Sequence, residues 1–518
     1  MAASWLKDTV FYEIYPQSFR DTNSDGIGDF NGIIEKLDYI LSLGCNGLWI
    51  NPCFDSPFKD AGYDVRDYKK VAPRYGTNND LYRLFGEAHK RGMHVLLDLV
   101  PGHTSEEHPW FRESQRAEKN AYSGRYIWTD GWITGCRNIP YIGGEAERNG
   151  TYLLNFFKCQ PALNYGFFKV EEPWQTPMDH PDAIATREAM KDVMRFWLSH
   201  GCDGFRVDMA ASLVKYDDEK KTGTSAIWRN VRQMLDEEFP EAVMVAEWGH
   251  PDQALRAGFD MDFYLSHENN GYMSLMRDYA HHWNHPEIKD QSYFRLDSNH
   301  DITHFLTEYM AWYQDTRDKG YISMITCNHD TTRPRFNMNE TELKLAYAFL
   351  FTMPGVPFLY YGDEIGMRYL PLPTKEGGYV RTGTRTPMQW SKGKNLGFSQ
   401  GCPDSLYLPV DSAPDAPTVE EQEKDPASLL NTVRAILRLR HQEEELQSDA
   451  LFEPLCAAPG KTLVYRRGTL VLALNPTGDA EAIAVPLDPA KLLFSIGSCQ
   501  LSGNQAVLGP QSFAVFKG

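Results

Sequence analysis

The sequence predicts a parallel (β/α)8 barrel of the TIM type (class α/β), with an inserted subdomain after strand 3 and a C-terminal all-β domain. Three observations predict it. Short apolar runs alternate with amphipathic helical stretches through the first 370 residues, that alternation stops between 104 and about 175, and short alternating strands replace it from about Leu451. The expected organisation is a first barrel part over 1–103, the inserted subdomain over 104–175, a second barrel part over 176–445 and the β-domain over 446–518.

Val10 to Tyr15 reads as the first strand. Ile33, Leu37, Ile40 and Leu41 then recur at helical spacing and stop at Gly44. Gly47 to Ile50 is the next strand, and Leu81, Leu84, Phe85 and Ala88 mark a helix that ends near Gly92. His94 to Val100 is apolar and rich in branched side chains, as in a strand buried on both faces. Residues 104 to 175 are rich in Gly, Asn, Trp and Tyr and keep no helical period. Thr186 is the expected N-cap of a helix carried by Met190, Val193, Met194 and Trp197 as far as Gly201. Strands are expected at Phe205–Met209, Ala242–Trp248, Ile322–Cys327 and Val356–Tyr361. The apolar stretch from Ala346 to Tyr361 is interrupted by Pro354, Gly355 and Pro357, so it reads as a buried helix and strand, too short to span a bilayer. Residues 400–420 form a Pro/Asp/Ser-rich loop, Pro426–Arg440 a helix, and Thr462–Tyr465 and Thr469–Leu474 strands of the last domain.

Composition narrows the function. The chain of 518 residues is 42% hydrophobic and 24% charged, a folded multidomain protein rather than a disordered one. Its net charge of −18 would be repelled by phosphate backbones and anionic lipid, so neither nucleic acid nor membrane is an expected partner. Aromatics reach 13%, which suits either sugar stacking or aromatic-rich packing. The nine cysteines lack CxxC pairs and metal-finger spacing, and the N-terminus lacks the pattern of a secretion signal; free thiols and a cytoplasmic location are expected.

The polar residues that follow the strands point to chemistry, because a parallel barrel gathers its active site at the C-terminal strand ends. Asp98 and His103 bracket the end of strand three in DLVPGH, and Arg206 and Asp208 close strand four in GFRVD. Glu247 ends strand five in VAEW, and His329 and Asp330 follow strand seven in CNHD. Carboxylates in pairs are what glycosidic cleavage needs: one protonates the leaving oxygen while the other attacks the anomeric carbon or activates water. Arg206 and Asp208, two apart, point to the same side of a strand, as an activating ion pair or a structural salt bridge.

The segments DLVPGH, GFRVDMAAS, VAEWGHP and CNHD, in this order, resemble the four signature regions of glycoside hydrolase family 13, the α-amylase family. YEIYPQSF, GYDVRDY, QPALN, GVPFLYYGDEIGM and RTPMQW resemble its oligo-1,6-glucosidase and α-glucosidase branch, so the likeness runs from about Val10 to Trp390. The resemblance implies a retaining double displacement on a small oligosaccharide or α-glucoside. Asp208 would be the nucleophile, Glu247 the acid and then the base, and Asp330 the group that holds the sugar hydroxyls. It also implies that His103, His329 and Arg206 line the subsite of the non-reducing sugar, with Asp98 at its edge and Tyr63 stacked on the ring. Asp64 and Arg385 resemble the pair that closes the pocket behind that sugar in exo-acting members, and Phe156 and Phe157 either add aromatic wall or pack beneath the insertion.

Asp21, Asn23, Asp25, Ile27 and Asp29 alternate oxygen donors around two glycines, the spacing of a loop that wraps a hard cation. An EF-hand is excluded because Gly32 stands where its bidentate Glu would be. The loop resembles the N-terminal metal site of this branch, so structural Ca2+ or Mg2+ is expected there and no organic cofactor; a solvated acidic turn is the other reading. Three departures stand out. Gly102 replaces the Asn that usually precedes the first-signature His, which puts a second metal near the cleft in doubt; Ala162 replaces the Asp of QPDLN; and Met209 follows the nucleophile. The bulk of Met209 is nearer the Val that accompanies α-1,6 preference than the smaller residues that accompany α-1,4. The expected activity is therefore a retaining exo-acting α-glucosidase, with a transglycosidase or sucrose/trehalose-type isomerase of the same fold as the alternative. A non-catalytic scaffold is disfavoured by the complete acid set.

Overall fold

The computed structural model describes residues 3–265, 269–282, 287–377 and 381–518. Eight strands form the barrel: β1 Phe11–Ile14, β2 Gly47–Ile50, β3 His94–Leu99, β4 Gly204–Val207, β5 Val243–Ala246, β6 Met261–Phe263, β7 Tyr321–Ser323 and β8 Phe358–Tyr360. They run parallel in chain order, with Phe11 paired to Gly47 on one side and Phe358 on the other. A bridge from Ile325, just past β7, to Phe358 closes the ring. Every residue of β1, β2, β4, β5, β6 and β8 is buried, which is why these strands read as apolar runs. A charge in such a strand needs partners. Glu13, Asp98 and Arg206 are therefore conspicuous, and all three lie in the buried core beneath the strand ends.

The structure corrects several expected elements. β6 has only three residues with Asp262 in the middle, too short and too polar to give a strand signal. That aspartate accepts hydrogen bonds from the backbone of Trp248 and Gly249, and so anchors the loop that carries Glu247. The helix ending at Gly44 is two helices, Phe30–Glu35 and Leu37–Leu43, separated at Lys36. Thr186 is not an N-cap: the helix spans Pro181–Ser199, His180 caps it, and Thr186 donates back to Asp182 O at 3.0 Å within the second turn. The loop before it ends on a His-Pro pair whose histidine accepts the bond that a Ser or Thr usually would. The regular strand expected to Cys327 ends at Ser323, beyond which pairing with β8 continues through Phe358 N to Met324 O and Thr326 N to Phe358 O.

The insertion after β3 carries one hairpin, Tyr141–Gly143 with Thr151–Leu153, and its own small core of Ile127, Cys136, Leu153, Ala162 and Phe167. It is stitched to the barrel by a bridge between His103 and Ala162. The C-terminal region folds into one five-stranded and one three-stranded antiparallel sheet. It packs on the helix Glu340–Thr352, where Thr352 and Tyr465 hydroxyls meet at 2.6 Å. All nine cysteines are free thiols, with Cys45, Cys202 and Cys327 buried. Among the described residues no helix is long and apolar enough to cross a membrane.

Candidate active site

Arg206 is the hub. One of its terminal nitrogens donates to Asp98 Oδ1 and Asp208 Oδ1, each at 2.9 Å, and the other pairs with Glu247 Oε2 at 2.9 Å. Arg206 and Asp208 do form the ion pair expected from their spacing, and Glu247 and Asp98 share it. Burial, with the carboxylates of Glu247 and Asp98 beside it, pushes the Asp208 carboxyl well above its usual range against the pull of Arg206. Asp98 is pushed up to about 6 by burial despite Arg206, and accepts further bonds from Trp49 Nε1 and the Tyr63 hydroxyl, each at 3.1 Å.

The two oxygens of Glu247 have different surroundings. Glu247 Oε2 already accepts from Arg206 and from the backbone N–H of Met209 at 2.9 Å. That second bond exists because Met209 adopts a left-handed conformation, φ 43°, uncommon for a residue with a side chain and a sign of backbone strain at a working site. Oε2 therefore stays an acceptor, and Oε1 is the oxygen left to carry a proton. Asp208 Oδ1 faces the same guanidinium, so two carboxyl groups, one with a free oxygen, stand side by side, the kind of pair that acid-assisted nucleophilic displacement uses.

Asp330 is the most exposed of the three acids, with a third of its side chain accessible. Burial would raise its carboxyl, but the guanidinium groups of Arg381 and Arg385 outweigh that and hold it well below the usual range. Arg381 and Arg385 both donate to Asp330 Oδ1, at 2.8 and 2.6 Å. The wall behind the pocket differs from the expected pair: no hydrogen bond or ion pair joins Asp64 to Arg385. The Asp64 carboxylate is taken by Ser56 Oγ and the backbone N–H groups of Lys59 and Asp60. It thereby shapes the loop that presents Asp60, and Asp60 pairs with Arg381 and with Gln160. Asp60 is thus paired with Arg381, while Arg385 serves Asp330, the His329 carbonyl and Glu376. The DAGYD segment offers two acids four residues apart, and spacing alone does not separate the wall residue from the loop former.

His103 and His329 are both buried and neutral. Burial pushes His103 down to about 3 and His329 well below its usual value. His329 is held from both sides, by Glu13 at 2.7 Å on Nδ1 and the Tyr63 hydroxyl at 2.6 Å on Nε2, with the Tyr63 ring stacked on it at 5.4 Å. Tyr63 itself is only 4% exposed, so in this structure its ring stacks on a histidine face. Glu13, the only charged residue of β1, was missed by the sequence reading; a lone acid in an apolar strand was the available signal. Asn155 and Lys215 were also missed. Lys215 Nζ donates to Asn155 Oδ1 at 3.0 Å, and Asn155 Nδ2 lies 3.1 Å from His103 Nδ1. The same amide explains Gly102, because a Cβ there would lie 2.6 Å from Asn155 Nδ2. Phe156 is half-buried with its ring 4.4 Å from that of Phe157.

The loop from Asp21 to Asp29 is closed by its own hydrogen bonds. Asp21 accepts from the backbone of Asn23, Ser24 and Gly26 and from Ser399 Oγ. Asp29 caps the following helix through Gly32 N and accepts from Thr22. Asp25 accepts from Ile27 N and Asn23 Nδ2. The two buried carboxylates are thus filled by protein donors. Among the described residues no three His, Cys, Asp or Glu side chains group as a metal site.

Comparison with known proteins gives the same picture as the geometry. The alpha amylase catalytic domain family matches residues 13–449. The trehalose synthase/amylase TreS of Mycobacterium tuberculosis is 34% identical, covering 91% of this chain and 82% of the relative. Probable oligo-1,6-glucosidase 2 of Bacillus subtilis is 32% identical, over 90% of this chain and 89% of the relative. Among solved structures, an isomaltulose synthase mutant from Erwinia rhapontici NX5, crystallised with sucrose, superposes with a TM-score of 0.81 at 26% identity, covering 99% of each chain. The chain is an enzyme of the α-amylase family, glycoside hydrolase family 13, on the side of the family that includes the oligo-1,6-glucosidases.

Proposed function

We propose that this enzyme is a retaining, exo-acting α-glucosidase that removes terminal glucose from short oligosaccharides or α-glucosides by double displacement. The observation that carries the reading is the single guanidinium of Arg206 bridging Asp208 and Glu247. It supports the close carboxylate spacing of a retaining pair, about 5–5.5 Å, rather than the wider gap that holds a water. Asp208 attacks the anomeric carbon as Glu247 Oε1 protonates the leaving oxygen. Water, activated by the same Glu247, then releases the sugar. Asp330, held ionised by Arg381 and Arg385, accepts hydroxyl hydrogen bonds from the distorted ring. The Asp60–Arg381 pair behind it supports cleavage at chain ends, since a charged wall leaves no path for a longer chain. The bulk of Met209 supports α-1,6 over α-1,4 linkages.

A second reading is favoured by the relatives' names, which include trehalose synthase and isomaltulose synthase. In that reading a sugar hydroxyl, not water, intercepts the glycosyl enzyme, with the same acids. Chromatography of products from maltose, isomaltose, sucrose and trehalose decides, with Asp208→Asn as the control. Free glucose at all concentrations supports hydrolysis; rearranged disaccharides at low concentration overturn it in favour of isomerisation.

A cytoplasmic location and a structural Ca2+ or Mg2+ at residues 21–29 belong to the same proposal. The alternating oxygen side chains support the cation, and the filled lone pairs of Asp21 and Asp29 count against it. A thermal melt with Ca2+ and with EDTA decides: an unchanged midpoint removes the metal.

A further inference from the structure

Two groups of fixed polarity bracket His103. Lys215 is buried, and among the described residues no carboxylate pairs with it; its ammonium can only donate, and it donates to Asn155 and to Ser212 O at 2.8 Å. The Tyr63 carbonyl can only accept, and it lies 3.1 Å from His103 Nε2. Everything between follows. The Asn155 atom that faces Lys215 must be its oxygen, so its NH2 faces His103 Nδ1, which must accept. His103 Nε2 then carries the ring proton, toward Tyr63. The same NH2 also lies 3.8 Å from the sulfur of Met209, directly after the nucleophile. The backbone locks the donor in place, because Lys215 N donates to Gly166 O and Phe168 N to Lys215 O, clasping the loop after β4 to the insertion.

We infer that Asn155, oriented by Lys215, is a positioning residue that fixes His103 as the Nε2–H tautomer, whose N–H holds the Tyr63 carbonyl and with it the segment that carries Tyr63 and Asp64. The inference rests on the proposed placement of the sugar beside His103 and Tyr63. The decisive variant is Asn155→Asp. It keeps the shape and gives Lys215 a carboxylate partner, so the fold is retained or strengthened. Its carboxylate can only accept, which forces a proton onto His103 Nδ1.

The test combines nitrogen-15 histidine NMR, assigned with His103→Gln, and kinetics on an aryl α-glucoside. The expected result for Asn155→Asp is an unreduced melting temperature, a protonated Nδ1 at His103, and kcat/KM at least about tenfold lower. In the His103→Gln background the same change is expected to have little further effect. Wild-type kcat/KM with Nδ1 protonated overturns the inference, and so does a loss that persists undiminished without His103. Should Asn155→Asp not fold, Lys215→Gln, which lets the amide turn over, is expected to show mixed tautomers; a pure Nε2–H signal there overturns it. Inactivity of the wild type on the glucoside would count against the proposed function instead, since the NMR arm needs no turnover.

Discussion

Replacing Lys215 by Met should stabilise the protein near neutral pH, and the gain should shrink as the pH rises. Burial, and then the charge of Lys221, bring the Lys215 ammonium down to about 8 from an ordinary 10.5. A lysine with a lowered folded-state pKa penalises folding fully below the folded value, and the penalty fades as the pH rises toward the unfolded one. At 1.36 kcal/mol per pKa unit, that gap corresponds to about 3 kcal/mol carried at pH 7, falling to about 1 kcal/mol near pH 9.5. Two hydrogen bonds, to Asn155 and Ser212, are lost with the ammonium, at about 1 kcal/mol each. Lys215→Met is therefore expected to be about 1 kcal/mol more stable than wild type near pH 7. Relative to the variant, the wild type should recover about 2 kcal/mol by pH 9.5. Urea melts of both proteins at the two pH values, followed by tryptophan fluorescence, measure this, and groups common to both cancel. A difference between the proteins that stays constant across the range would refute the reasoning.

Three further outcomes follow from the site. Glu247→Gln should lower turnover of disaccharides by about 10²–10⁴-fold but affect an aryl glucoside with a good leaving group far less, because only the former needs the acid; equal losses in steady-state assays would contradict the role given to Oε1. Arg381→Met removes one of the two guanidinium partners of Asp330 and the partner of Asp60, and should lower kcat/KM for disaccharides by at least about tenfold; an unchanged value would remove Asp60–Arg381 from the pocket wall. Gly102→Ala places a Cβ against the amide that contacts His103 and should destabilise by about 1–3 kcal/mol with a loss of activity; a variant with wild-type melting and turnover would contradict that contact.

The sequence made the candidate acids legible because Asp208 and Glu247 directly follow apolar strands and Asp330 lies in the loop after a third, where a carboxylate has no packing reason to be. Arg206, two residues before Asp208, was legible for the same cause, since period-two geometry puts both on one side. The wall was not: Asp60 and Asp64 flank one tyrosine, and only the folded loop shows that Asp64 spends its oxygens on Ser56 and two backbone N–H groups. Lys215 and Asn155 left no local signal, being 60 residues apart and brought together only by the clasp between the insertion and the loop after β4. β6 was hidden by its length and its central Asp262. The acidic loop leaves two readings open, because alternating oxygens serve backbone N–H groups as readily as a cation.

The central claim is that Asp208 becomes covalently bound to the sugar. A slow-turnover fluorinated glucosyl fluoride, incubated with the enzyme and followed by peptide mass spectrometry, tests it most directly. The account predicts one glucosyl-sized mass increment on the peptide containing Asp208, absent from Asp208→Asn. An increment on another residue, or turnover of the reagent with no adduct and with undiminished rate in Asp208→Asn, would contradict it.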